Sequence, residues 1–277
     1  MEYIAYEDEK KTVKTRELQE KLLEILKEID RICKKNNIDY FISDGTCLGA
    51  VRHEGFIPWD DDADIGMSRE DYKKFIKALD NDLGDKYLYH CYEKSKKFLV
   101  TWPAMKIRMK NTCIKERNVL LKNKCTDSDG IFVDVFIYDH MAKHRIFDIP
   151  LRTINTILMP IIVLFENIKI NPIPLKALFR FNARLYGRLC KKSEYFADDI
   201  TWVFNPVHPY KMKYTDIYPT KKLKFEDTYL SVPGNCHNYL VAKYGENYMT
   251  PPSEKNRISK HIKEIELDYK EQSYVLF

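Results

Sequence analysis

The sequence predicts an α/β (α+β) protein: a mixed sheet with flanking helices, carrying a cluster of acids and interrupted by a helical insertion. Three observations lead there. An amphipathic segment over residues 15–36 runs straight into an apolar stretch, Ile38 to Ser43. Two short apolar runs carry carboxylates within them, Asp62–Ala63–Asp64–Ile65 and Ile131 to Ile137 around Asp134. Between 145 and 193 the pattern changes to long apolar and basic stretches with helical spacing.

The first helix follows from Leu18, Leu22, Ile25, Ile29 and Ile32, which recur at three- and four-residue steps between Glu, Lys and Arg. Its role is to cover the sheet. A Gly45–Thr46 turn then opens a short helix over Cys47 to Arg52, whose free N–H groups suit an anion. Arg52 and His53 add donors at its far end. Ser68 is an N-cap for a helix with Glu70 and Asp71 in its first turn, and that helix start is expected near the acids.

Asp60 to Asp64 holds four carboxylates in five residues. Neighbouring like charges cost on the order of 1 kcal/mol unless a cation or solvent relieves them. In an extended segment Asp60, Asp62 and Asp64 share one face while Ala63 and Ile65 face the core. Asp62 and Asp64 then form a pair of hard oxygen ligands suited to Mg²⁺ or Mn²⁺ beside a phosphate. A calcium loop counted from Asp60 fails, because its sixth position is Ile65 and its twelfth is Asp71. Asp134 is a lone carboxylate in an apolar strand, which is expensive unless a cation or a site uses it. Lys106 and Arg108 alternate with apolar neighbours and share one strand face, open to solvent or to a phosphate.

Composition narrows the class. Of 277 residues, 44% are hydrophobic and 31% charged, as in ordinary soluble domains. A net charge of +5 is too small to imply nucleic acid, but it suits an anionic substrate or membrane surface. Seven cysteines without a CxxC pair signal neither zinc nor a disulfide framework, and free thiols suit the cytoplasm. The charged N-terminus lacks the apolar core of a secretion signal.

The stretch from Gly45 to Tyr72, GTCLGAVRHEGFIPWDDDADIGMSREDY, resembles the signature of the LicD family, bacterial phosphocholine transferases related to fukutin and fukutin-related protein. The resemblance implies a nucleotidyltransferase-type sheet in which Gly45–Thr46 precedes the Asp62/Asp64 pair and Asp134 is the third acid. Those acids are then expected as catalytic residues and ligands of Mg²⁺ or Mn²⁺, with Asp134 also a base toward the acceptor. Gly45, Thr46, Arg52, Lys106, Arg108 and Arg257 are expected to hold donor phosphates. The C-terminal Phe225–Glu226 strand and the Tyr244–Pro252 segment, with Arg257 and His261, are similar to the family's ending. Asp227 and Glu246 depart from it where Gly and Asp are common.

The family also implies a CDP-activated donor, CDP-choline above all, a glycan or lipid-linked glycan acceptor, and release of CMP. Choline calls for aromatic rings, which Trp59, Trp102 and some of the 19 tyrosines could supply. Two rivals stay open: a nucleotidyltransferase using an NTP on a small molecule, and a non-catalytic cation- or membrane-binding module.

The organisation expected is a catalytic core over 1–144, a helical insertion over 145–200 and a C-terminal part over 201–277 that completes the pocket. Within the insertion, Ile157 to Phe165 is apolar for nine residues, too few to span a bilayer. Lys176, Arg180, Arg184 and Arg188 fall four apart, so 176–192 offers either a solvated basic face or peripheral contact with anionic lipid. At His140 and His144 the spacing fits a metal, but without a third ligand it reads as surface.

Overall fold

The computed structural model describes residues 4–8, 11–94, 104–116, 130–168, 170–201, 210–258 and 261–267. A hairpin of β1 (Ile4–Asp8) and β2 (Lys11–Lys14) leads into α1 (Thr15–Lys35). The apolar stripe of α1, Leu18 to Ile32, is fully buried, as its spacing predicts. The strand expected over 38–43 shrinks to β3 (Phe41–Ile42), because Ser43 already caps α2 (Asp44–His53).

Next come β4 (Asp64–Ser68), α3 (Arg69–Asp82), β5 (Tyr87–Cys91), β6 (Met105–Met109), β7 (Cys113–Glu116) and β8 (Phe132–His140). Ser68 accepts a hydrogen bond from the Asp71 N–H and so caps α3. That helix does not start beside the acids. Asp64 and Ser68 are opposite ends of β4, about 13 Å apart at strand rise.

Nine-residue β8 is the axis of a mixed, seven-stranded sheet. It pairs in parallel with β4 along one edge. Along its other edge β6 takes the first half and β9 (Tyr195–Asp198) the second, both antiparallel. The α/β expectation therefore holds. Between β8 and β9 stand α4 (Arg145–Asn167) and α5 (Ile173–Leu189). The sheet resumes at Tyr195, inside the boundary expected at 200, so the helical excursion is 145–189.

The apolar run within α4 is longer than its nine clean residues suggest. Asp148–Asn167 is long and apolar enough to cross a membrane by length and composition. Its charges turn inward: Arg152 pairs with Asp148 at 3.2 Å, and Glu166 pairs with Lys176. The basic stripe of α5 is likewise not one solvated face. Lys176 and Arg180 are buried, and Arg180 reaches Glu93 at 3.4 Å; Arg184 and Arg188 are exposed.

The chain closes through β10 (Met212–Lys213), α6 (Tyr214–Ile217), the hairpin of β11 (Lys221–Phe225) and β12 (Thr228–Val232), α7 (Cys236–Tyr244) and β13 (Ile262–Glu266). Gly245 ends α7 at φ 81°, a left-handed value that favours glycine. β13 pairs with β7, and its start brings His261 and Ile262 to Asp61.

Gly66, inside β4, is packed against aromatic rings. A Cβ there would stand 2.6 Å from Phe41 Cζ and 2.8 Å from Tyr138 Cε2, both buried. Gly66→Ala is expected to cost about 1–3 kcal/mol of stability, the usual range for overpacking. Urea unfolding measures it, and an unchanged midpoint would contradict this packing.

Candidate active site

Parallel pairing of β4 with β8 sets Asp64 directly beside Asp134, and antiparallel pairing of β6 with β8 sets Lys106 on the other side of Asp134. Three backbone and side-chain ties fix this end of the sheet. The Asp134 N–H donates to the Ala63 carbonyl at 3.0 Å, the Ser43 N–H to the Asp64 carbonyl at 2.9 Å, and the Asp64 N–H to Thr46 Oγ1 at 2.9 Å. From α1, the buried Gln19 Nε2 donates to the carbonyls of Ile57 and Asp60, each at 3.0 Å. The acidic loop is thus held in shape before any ligand arrives.

Each acid has a different neighbour. Asp61 is buried, and its Oδ2 accepts from the backbone N–H groups of His261 and Ile262, each at 2.9 Å. Asp62 Oδ2 lies 3.3 Å from His261 Nε2. Lys106, itself buried, donates to Asp134 Oδ1 at 2.8 Å and to Glu116 Oε1 at 3.0 Å. Among the described residues no basic side chain pairs with Asp64, which instead feels Asp62, Asp44, Asp134 and Asp60.

The electrostatics follow from that crowding. Burial first, then Asp61 and Asp134, push the Asp62 carboxyl up to about 6, with His261 pulling the other way. Asp64 goes well above the usual carboxylate range through burial and the surrounding acids. Burial raises Asp134 too, against the pull of Lys106. Buried acids that raise one another are the condition that a divalent ion relieves. Asp61, Asp62 and His261 are, among the described residues, the group whose ligand atoms all lie within 4.8 Å of one another. Asp64 and Asp134 stand outside that group.

The residues expected to hold phosphates divide. Thr46 spends its hydroxyl on the start of β4, and Gly45 lies under Asp60, whose Oδ2 is 2.8 Å from where a Cβ would sit. The start of α2 is therefore a brace for the acids and faces a carboxylate. Arg108 is buried and donates to the Gly130 carbonyl at 2.7 Å, a structural role. Lys106 serves Asp134. Arg52 and Arg257, by contrast, meet at Trp59, their guanidinium carbons 6.0 Å and 5.2 Å from its ring centre. Arg52 also donates to the Tyr248 carbonyl at 3.0 Å, and Arg257 to that of Pro252 at 2.9 Å.

Other polar groups belong to the scaffold. Asp139 and Asp199 both pair with Arg69. His140 bonds the Ser193 carbonyl at 2.7 Å and stacks on Tyr214. Glu226 accepts from the Phe56 N–H at 3.0 Å and braces the turn before the acids. Lys243, which sequence reasoning missed, reaches Asp44 Oδ1 at 2.7 Å and Asp198 Oδ2 at 2.9 Å. Burial opposes its charge, but those two acids outweigh it and hold the ammonium protonated. Its Nζ sits 4.2 Å from the ring centre of Tyr210 and also faces Tyr138 and Tyr239. That cage is already filled by the chain's own cation. A single Lys between two tyrosines, Tyr239 and Tyr244, was its only signal. Trp102 lies outside the described residues.

If Mg²⁺ or Mn²⁺ is held here, it must displace protons from these raised acids. Apparent affinity is expected to fall on acidification below about pH 6, roughly tenfold per unit for each proton displaced. Titration calorimetry from pH 7.5 to 5 reads it, with Asp62→Asn as the weakened control. A pH-independent affinity would contradict a carboxylate site.

Comparison with known proteins adds the family. Residues 37–159 match the family described as LicD/FKTN/FKRP, nucleotidyltransferase domain. The chain is 26% identical to the "Lipopolysaccharide cholinephosphotransferase LicD" of Haemophilus influenzae, over 92% of this chain and 98% of that protein. Shorter similarities reach uncharacterized proteins of Rickettsia typhi, 50% identical over 58 residues, and Rickettsia prowazekii, 54% over 50; each covers 19% of that protein. The acids on β4 and β8 thus lie in the stretch that is similar to the LicD family.

Proposed function

We propose that this chain is a phosphotransferase that moves a phospho-alcohol, phosphocholine first, from a CDP-activated donor to a hydroxyl of a lipopolysaccharide or related cell-surface glycan precursor. The meeting of Asp62, Asp64 and Asp134 at one end of β4 and β8 carries the reading. Similarity to a lipopolysaccharide cholinephosphotransferase over nearly the whole chain supports the transferred group and the acceptor class.

The carboxylates suit a hard divalent cation, because Asp64 has like charges around it and no basic partner among the described residues. Asp62 and Asp64 would hold Mg²⁺ or Mn²⁺, which would supply Lewis-acid stabilisation of charge on the phosphates. Arg52 and Arg257 bind the diphosphate from the Trp59 side, where planar guanidinium groups match phosphate oxygens. Lys106 holds Oδ1 of Asp134, and Oδ2 takes the proton of the acceptor hydroxyl as its oxygen bonds the phosphorus. The phosphorus–oxygen bond to CMP breaks in the same displacement. The choline end has Tyr244 at hand, an exposed ring in the field of Asp64 and Asp60.

The family's description as a nucleotidyltransferase domain favours a second reading, transfer of NMP from an NTP to a small molecule with release of pyrophosphate. Incubation with purified lipopolysaccharide, magnesium and a panel of CDP-alcohols or NTPs separates the two. CMP release with CDP-choline is expected, and Asp64→Asn should lower kcat by about 10³-fold or more, the scale of losing a charge-stabilising group. A folded Asp64→Asn with undiminished turnover would overturn the site.

A further inference from the structure

The α4–α5 hairpin is built inside out. Its charged residues Asp148, Arg152, Glu166, Lys176 and Arg180 are buried and paired within the protein. From Ile149 to Phe181, every exposed position among the described residues is apolar except Thr153. Twelve of the seventeen exposed large apolar side chains in the described chain lie between Ile146 and Leu189, so the apolar surface is concentrated here. Ile157, Leu164, Ile168 and Phe181 are each 58–62% exposed.

We propose that this face docks the protein on an anionic lipid bilayer, lying in the surface rather than crossing it. Two features argue for lying flat. Arg180 and Arg184 both reach Glu93 beyond β5, and Asn155 donates to the Ile200 carbonyl at 3.0 Å, so both helices are fastened to the body. The paired charges of α4 turn toward α5, where Lys176 meets Glu166 and Tyr186 meets Asp148, which leaves a single apolar side of a helix about 34 Å long.

Two further features argue for lipid over a protein partner. Protein interfaces carry roughly one hydrogen bond per 100–200 Å² with a polar rim, and this face offers one hydroxyl over two helices. At the hairpin's base the charge turns basic. Lys143, His144, Arg184, Arg188, Lys191 and Lys192 are exposed, against Glu194 and Glu70, which Lys191 approaches at 4.0 Å. Lys191, Lys192 and Lys213 also line a cleft of about 400 Å³ with His140 and Tyr214. A basic collar beside an apolar face matches anionic headgroups above acyl chains.

Flotation of the full chain with vesicles of phosphatidylglycerol and phosphatidylcholine tests this, and it needs neither donor nor turnover. Co-flotation is expected with the anionic vesicles. Leu164→Glu should reduce it at least tenfold, and the Lys191→Glu/Lys192→Glu pair should remove its preference for anionic lipid. Phe181→Glu, on the other helix, provides the same reading if Leu164→Glu does not fold. No flotation of the wild type, or flotation unchanged in the folded glutamate variants, would overturn the proposal. A dimer that Leu164→Glu dissociates, without vesicle binding, would assign the face to a second copy and also overturn it.

Discussion

The register between β4 and β8 is the constraint on which the rest of the site depends. A parallel pair in this register places Asp64 and Asp134 side by side, and a one-residue slip would send one of them to the opposite face. The same register buries Ile65 and Met67 against Val135 and Ile137, so apolar packing enforces the crowding of the acids. Thr46, Gln19 and the Asp134 N–H then hold the loop before β4 in the one shape that keeps Asp62 beside them. Repulsion among carboxylates is thereby stored in a rigid frame, where a bound cation would release it.

The periodic elements were legible in sequence, and the reasons are local. The stripe of α1, the Ser68 cap and the Gly245 stop each follow from side-chain chemistry within a turn or two. The adjacency of Asp64 and Asp134 was expected only through family resemblance, since strand pairing across 70 residues has no local signature. What stayed hidden was partner choice. Thr46 and Arg108 were expected as phosphate ligands, and no local pattern showed that each also bonds a backbone group beside it. Arg52 and Arg257 meet at Trp59 from distant parts of the chain, which no local pattern could show.

Charge in this molecule is repeatedly placed inward. Lys243 lies between Asp44 and Asp198 under three tyrosines, Lys106 between Asp134 and Glu116, and Lys176 against Glu166. Buried pairs of this kind add little net stability, but removing one partner strands the other. Their effect is to fix geometry: Lys106 orients Asp134, and Lys243 ties α7 to the start of α2. In the α4–α5 hairpin the same habit leaves the outer surface apolar as far as Phe181, and of the basic stripe expected on α5 only Arg184 and Arg188 stay exposed.

The central claim is that these acids serve transfer of a phospho-alcohol and not of a nucleotide. Mass analysis of the lipopolysaccharide acceptor after incubation with magnesium and CDP-choline tests it most directly. The account predicts an acceptor heavier by one phosphocholine group, with free CMP in equal amount. An acceptor or small molecule carrying the nucleotide instead, with pyrophosphate released from an NTP, would contradict it.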